Sequence, residues 1–540
     1  MVKDDMKRFI YVSLMTMVSL SAMCQETYVN ANLTGSDLRG TARYVGMGGS
    51  MDALGADLST VSSNPAGTAF FRRSAGAVTM GLDMQTGVEK FEDAKRSHVS
   101  FDQAGFVYSK QVNEDVWLNM ALNYHQSKDL SMIVNAAGWL TDGSSQGRVS
   151  YDKGAIGGVV GLSNVQPSSR HPLGEEVYSY NLAFNQLDWL YYNSVVYNPV
   201  VDPQAPFMYH GAQLYDYGSS QRGFISDYDL NMSVNVHDRF YAGLTFGIKD
   251  VHYRNLTEYA ELYGPNAANV EGVYLEDYRK IRGAGYDMAL GVIVRPIDAS
   301  PFRVGMTIKS PTFYDLKSEN YTAMMVGVRP GSTTYQGPTV LDIENRYDFS
   351  LYTPWIFGLS VGHTIGKEIA LGASVDYADY RYTNNRIEDN DDYYYYDYGY
   401  DDYTHADRAM NHNTKSVMRG VVTLKVGGEI KLLPQLAMRV GYNFVSPRYK
   451  SSGYKDGMLY SIGNNFMSTT DYTNWSSTQR VTAGLGYMGK DFSVDVAYQY
   501  SQTDGTFHPF HDACDVTNVA MPTNVSNKRH HVMMTLGCKF

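Results

Sequence analysis

Beyond residue 20 the chain has no apolar run approaching the ~20 residues that a membrane-spanning helix requires, so a helical membrane protein is excluded past the N-terminus. Cysteine is scarce, with 3 residues in 540. If Cys24 leaves with an export signal, Cys514 falls in a surface loop and Cys538 near a strand end, and neither a disulfide framework nor a CxxC metal or redox site is supported. Positive charge is in deficit: 45 Lys and Arg against 56 Asp and Glu leave a net charge of -11, which argues against nucleic acid as a partner. No nucleophile elbow, matched acid-base pair or metal-ligand spacing is visible, so no catalytic residue, metal ligand or cofactor is assigned and the chain is not read as an enzyme.

What is abundant is Tyr (45) and Gly (50), in a chain whose charged fraction is only 19%. Mean hydropathy is -0.32, which a β-barrel tolerates because lipid-facing residues are interleaved with polar ones. The C-terminus shows the pattern plainly. Counting back from Phe540, Cys538, Leu536, Met534 and Val532 share one face, while Lys539, Gly537, Thr535, Met533 and His531 share the other. An alternating last strand closed by an aromatic is the mark of a bacterial outer-membrane barrel, and Phe540 is taken as its assembly signal, read by the barrel assembly machinery. At the other end Lys7 and Arg8, the apolar stretch from Phe9 to Leu20 and Ala22-Met23-Cys24 read as a signal peptide over residues 1–24. Lipidation of Cys24 is the weaker alternative, because Met23 is bulky where a lipoprotein signal wants a small residue.

Period-2 segments recur along the chain. Clear examples are Val116 to Tyr124, the hairpin Tyr228 to Val236 and Phe240 to Ile248, Tyr286 to Val294, Phe302 to Ile308, Val422 to Ile430 and Phe492 to Tyr500. Together they predict about 14 strands, an even number as bacterial barrels require. Short turns follow every second strand, and long connections are expected near residues 128–220, 257–282, 314–351, 384–415, 450–475 and 504–528. That asymmetry fits short periplasmic turns and long extracellular loops. The fold class is therefore an all-β transmembrane antiparallel barrel, placed in the outer membrane of a Gram-negative cell and occupying residues 74–540. Strand parity puts Asp287, Arg295, Arg303, Lys309, Asp376, Lys425, Glu429, Arg439 and Asp495 in the lumen as salt-bridge partners.

Residues 25–73 do not alternate and are rich in small residues, notably Gly46-Met47-Gly48-Gly49 and Asn64-Pro65-Ala66-Gly67. Irregular backbone cannot face lipid, but it can fill a lumen too wide for its own side chains to close. This segment resembles the N-terminal hatch of FadL/TodX-type outer-membrane transport proteins. The resemblance implies a barrel of 14 strands plugged by the hatch, and passive uptake of hydrophobic small molecules such as long-chain fatty acids or aromatics. It also implies sideways exit through an opening in the wall, with Asn64, Pro65 and Ala66 at a kink in the third strand. That strand, Val116 to Ser127, carries no Gly or Pro to announce a kink.

In the longest connection, Leu182, Leu187, Trp189 and Leu190 could form an apolar helical face, either projecting to capture a greasy ligand or packed on its own loop. Together with Asn64, Pro65, Ala66 and Gly67 these are the candidate binding and gating residues. The acidic, Tyr-rich run Glu388 to Tyr403 lacks the register of a Ca²⁺ loop and reads as a solvated surface loop. His508, His511, His530 and His531 raise haem capture as an alternative function, with an adhesive or structural barrel as another. The partners expected are a hydrophobic ligand, outer-membrane lipids and the assembly machinery.

Overall fold

The computed structural model describes residues 26–540, apart from 93, 142–143, 158–183, 197–207, 266, 268, 333–334, 336 and 389–403. Fourteen antiparallel strands follow one another around a closed wall. β1 is Ala75–Thr86 and β2 is Ser97–Gln111, while β3 is Val116–Asp129 continued by Met132–Trp139. β4 is Ala212–Val236, β5 Phe240–Tyr263 and β6 Val270–Val294. β7 is Arg303–Lys309 continued by Phe313–Val328, β8 is Val340–Tyr352 continued by Ile356–Ile365, and β9 is Ile369–Asp379 continued by Asn384–Glu388. β10 is Gly420–Leu433, β11 Leu436–Val445, β12 Tyr472–Met488, β13 Phe492–His508 and β14 Thr523–Lys539. The wall closes where β1 pairs with β14, from Ala75 opposite Lys539 to Thr86 opposite Lys528.

The two-residue period decides which side chains meet lipid. Val78, Met80 and Leu82 on β1, Leu244, Phe246 and Ile248 on β5, and Val532, Met534 and Leu536 on β14 all stand exposed on the outside. Their neighbours Thr79, Thr245 and Thr535 are buried inside. An exposed apolar band of this kind is stable only in hydrocarbon. Aromatic rings edge it, with Tyr108, Phe240, Tyr487, Phe492 and Phe540 toward the short turns and Tyr228, Tyr286, Tyr377 and Tyr498 toward the long connections.

The expected long loops at 257–282 and 314–351 are largely strand instead. β4 and β6 run for 25 residues each, about 80 Å at the ~3.4 Å rise of a strand, far more than the ~11 residues a bilayer needs. Their upper halves stand clear of lipid, where polar groups on both faces erase the alternation that marks the lower halves. Above the band the barrel is filled by a cap containing Phe184, Leu187, Leu190, Tyr191, Tyr215, Tyr259 and Phe507 in one buried cluster. The Tyr-rich run expected as a loop lies outside the described residues from 389 to 403, as do the signal peptide and Leu182.

Candidate functional site: the lumen and its wall

The N-terminal segment builds α1 (Thr27–Leu33), α2 (Ala42–Gly46), α3 (Thr60–Ser63) and a 3-10 turn over Pro65–Phe70. All are short, and all but Thr60–Ser63 carry a side-chain cap. Glu26 accepts from the backbone of Tyr28 and Val29, and Thr41 Oγ1 accepts from Tyr44 N at 3.1 Å. Asn64 Oδ1 accepts from Ala66 N at 3.2 Å, with Pro65 in the first position of the turn, where its missing N–H costs nothing. Helices this short are not stable alone, so the surrounding wall must hold them.

The wall does so through a belt of glycines, one on each of eight consecutive strands. A Cβ on Gly243 (β5) would collide with Pro65 O, and one on Gly291 (β6) with Asn64 Oδ1. On Gly305 (β7) it would crowd Asn64 Nδ2, on Gly362 (β8) Leu54, and on Gly372 (β9) Ser50 O. Gly427 (β10), Gly441 (β11) and Gly484 (β12) abut Met47, Gly48 and Gly46 in the same way. The segment's backbone therefore lies directly on the wall's backbone, a fit that side chains on either surface would forbid. Asn64, Pro65, Ala66 and Gly67 are all buried, and Gly67 is itself pressed against Thr60.

Charge fixes the same docking. Arg39 Nη2 lies 2.7 Å from Asp83 on β1 and 3.4 Å from Asp129 on β3, and Nη1 bonds Asp102 on β2, so one guanidinium joins three strands. Arg43 pairs with Glu429 at 3.1 Å, and Glu429 also pairs with Arg439, which reaches Asp495 at 2.6 Å. Lys425 holds Asp52 at 3.1 Å and Asp376 at 2.7 Å. Lys309 pairs with Asp287 at 3.4 Å. Of the lumen charges expected from parity, Arg303 donates instead to Leu54 O at 2.7 Å, and Arg295 to the carbonyls of Asp298 and Ser300 in its own turn. Buried charges must be paired or cost several kcal/mol, so these networks tie the segment to one seating.

The third strand does kink, although no Gly or Pro marks the place. Its register to β4 shifts between Gln126 and Lys128, and its two halves are separated at Leu130-Ser131. Pairing between β2 and β3 ends at Gln103 opposite His125, leaving Ser97–Asp102 without a ladder partner on β3. Above the kink the second half leans over the short β1–β2 hairpin, where Gln85 bonds both the N–H and the carbonyl of Ile133.

The resemblance placed Asn64-Pro65-Ala66 at this kink. The structure puts them against β5 to β7 instead, because the glycines that can admit their backbone are there. What meets the kink is the stretch from Thr34 to Arg39. Asp37 N–H donates to Ser127 O at 2.8 Å, Lys128 Nζ donates to Thr34 O at 2.7 Å, and Asp129 N–H donates to Asp37 Oδ2 at 3.1 Å. Arg39 spans the interval where the ladder has stopped.

In the cap, α4 (Gln146–Gly157) and α5 (Gln186–Tyr192) pack together. Leu187 and Leu190 are fully buried and Trp189 is half-buried against the same cluster, so this face packs inward rather than projecting. Lys153 Nζ meets Asp188 Oδ2 at 2.6 Å beneath it.

Three cavities bear on passage. One of about 1240 Å³ lies between the β1–β2 loop and the upper wall, with Phe91, Tyr274 and Met325 beside Glu258, Glu276 and Asp504. Two of about 220 Å³ each lie in the lumen beside the N-terminal segment. They meet at Asp37, Leu38, Arg39, Arg448 and Arg480.

The histidines are engaged separately. His508 stacks on Tyr472 at 4.7 Å and His511 on Tyr454 at 3.8 Å, His530 bonds Tyr498 at 2.7 Å, and His531 points inward, 3.2 Å from Asp102. Among the described residues, the groupings with metal-ligand spacing are Asp83, Asp102 and His531, and Asp83, His98 and Asp129. In both, Arg39 already pairs with the carboxylates.

No family model and no curated protein matches the chain in sequence. In chain path it resembles the FadL/TodX barrels. The toluene transporter TodX of Pseudomonas putida superposes with a TM-score of 0.47 at 11% identity, over 94% of this chain and 99% of that one. A Pseudomonas aeruginosa FadL homologue gives 0.49 at 12% identity, over 94% and 99%. The Ralstonia pickettii toluene transporter TbuX gives 0.46 at 11%, over 93% and 99%.

Proposed function

We propose that the chain is a passive transporter for hydrophobic small molecules, long-chain fatty acids or aromatics, in the outer membrane of a Gram-negative bacterium, with residues 25–73 as its hatch and 74–540 as its barrel. The observation that carries this reading is the conjunction at β3: a lumen closed by a segment seated on glycines, directly beside a place where the wall's own ladder stops. A barrel that needed only to adhere or to stand in the membrane would gain nothing from either. Ligand enters from the outside by the large upper cavity, whose rings supply an apolar surface, and reaches the lumen as the cap and the Thr34–Arg39 stretch shift. It leaves into the hydrocarbon between β2 and β3 when Arg39 releases Asp129. No bond is made or broken, so the chemistry required is binding and gating alone. Separate packing of the four histidines gives haem capture no shared site.

The test is uptake of a radiolabelled long-chain fatty acid and of toluene by cells that depend on this protein, with surface expression measured alongside. Uptake of at least one by cells carrying the unaltered protein, and of neither by cells lacking it, is expected. Absence of uptake of both by the unaltered protein overturns the reading.

A further inference from the structure

The wall is interrupted a second time, five strands round from β2–β3. β7 breaks at Ser310-Pro311-Thr312, β8 at Thr353-Pro354-Trp355, and β9 turns into a 3-10 helix over Tyr380–Tyr382. Lys309 pairs with Ile356 below the break and Phe313 with Tyr352 above it. Three residues intervene on each strand, so Ser310 stands opposite Trp355, Pro311 opposite Pro354, and Thr312 opposite Thr353. Two prolines facing each other in the interior of a sheet remove two backbone donors at one height, where a barrel wall ordinarily has none to spare.

Hydroxyls fill part of the deficit. Thr312 N–H donates to Thr353 Oγ1 at 2.8 Å and Met288 N–H to Ser310 Oγ at 2.9 Å, leaving Thr353 N–H to Thr312 O at 3.1 Å as a backbone bond across the break. Outside, Trp355 stands 51% exposed at the aromatic edge of the lipid band. Inside, Thr312, Thr353, Pro354 and Tyr380 line one of the two lumen cavities of about 220 Å³. That cavity touches its twin, which reaches Asp129 and Leu130 at the β3 kink.

We propose that the β7–β8 seam is a second lateral window, through which an apolar molecule passes between the lumen and the surrounding lipid. The proposal rests on the transport reading above and adds a route to it. The two windows lie at opposite ends of one pair of adjoining cavities. Opening the seam over these three residues breaks one hydrogen bond to a side chain, Thr312 N–H to Thr353 Oγ1, and one backbone bond, whereas parting regular strands breaks a full ladder.

Two changes close the seam by different means. In a background carrying Cys514→Ser and Cys538→Ser, Ser310→Cys with Trp355→Cys staples the strands, and Leu359→Cys with Val375→Cys on β8–β9 is the control staple. Separately, Pro311→Thr with Pro354→Thr restores the missing donors, which keeps the test decisive if the staple fails to form. Uptake of the labelled fatty acid and of toluene is measured at equal surface expression. The proposal expects loss of uptake rate in the seam staple, recovered with dithiothreitol, the same loss in the proline variant, and none in the control. Full uptake with the seam stapled or repaired overturns the second window while leaving transport standing. Absence of uptake in the unaltered protein overturns transport itself.

Discussion

Asn64 and Gly291 touch at the floor of the lumen: the Asn64 side chain occupies the space that a Cβ on Gly291 would take. Asn64 is fully buried, and among the described residues its Nδ2 has no hydrogen-bond partner, so the contact is held by fit rather than by a polar bond. Gly291→Val should expel the Asn64-Pro65-Ala66 turn at an overpacking cost of roughly 1–3 kcal/mol, while the outward face of β6 is untouched. The measurement is protease cleavage within residues 26–71 of the folded barrel. Cleavage should rise in the variant, and an unchanged pattern would show that the turn is not seated there.

Arg39 offers a second handle. Arg39→Ala takes the shared guanidinium from Asp83, Asp102 and Asp129 and leaves them to His98, His531 and Arg529, a penalty of up to about 3–5 kcal/mol by analogy with other broken buried pairs. The segment should loosen and single-channel recordings should show frequent opening. Asp129→Asn in the same protein should restore part of the quiet state, since it lowers the negative charge that His98, His531 and Arg529 must then balance.

Phe540 closes the wall, its N–H donating to Ser74 O at 2.9 Å and its ring lying 6.3 Å from Phe106. Phe540→Asp places a charge at the lipid edge and removes the terminal aromatic. The heat-modifiable, membrane-inserted fraction should fall, and equal insertion would contradict an assembly role.

The cap should respond to pH. Burial, with Asp512 beside it as hydrogen-bond partner and like charge, raises the Asp152 carboxyl to about 6. A carboxyl that holds its proton more tightly folded than unfolded favours the folded cap below its ordinary value of ~3.9, and that contribution is lost as pH rises to about 6. Hydrogen exchange over Gln146–Gly157 should quicken across that window and level off above it. Asp152→Asn should flatten the response.

Much of this was legible in the sequence, for reasons that also explain the rest. Lower strands such as Leu118 to Leu122 alternate because one face meets lipid, and that constraint is strict. The upper halves of β4 to β6 meet water outside and a packed cap inside, so Thr257 to Tyr263 shows no such code and reads as part of a loop. The small residues from Gly46 to Gly67 announced a lumen segment, but its partners Gly243, Gly291 and Gly372 are scattered over the chain and look individually like ordinary strand glycines. The β3 kink is made by a one-residue register shift at Gln126–Lys128, which needs no special residue and so left no signal.

The central claim is that the N-terminal segment closes a lumen that would otherwise conduct, and electrical conductance in planar bilayers tests it most directly. Deleting residues 30–66 removes the contacts to the glycine belt and the Arg39 and Arg43 bridges while sparing every barrel strand. The deleted protein, folded by heat-modifiability, should form large, steady ion-conducting pores, and the intact protein should conduct little. Equal conductance in the two would contradict the account.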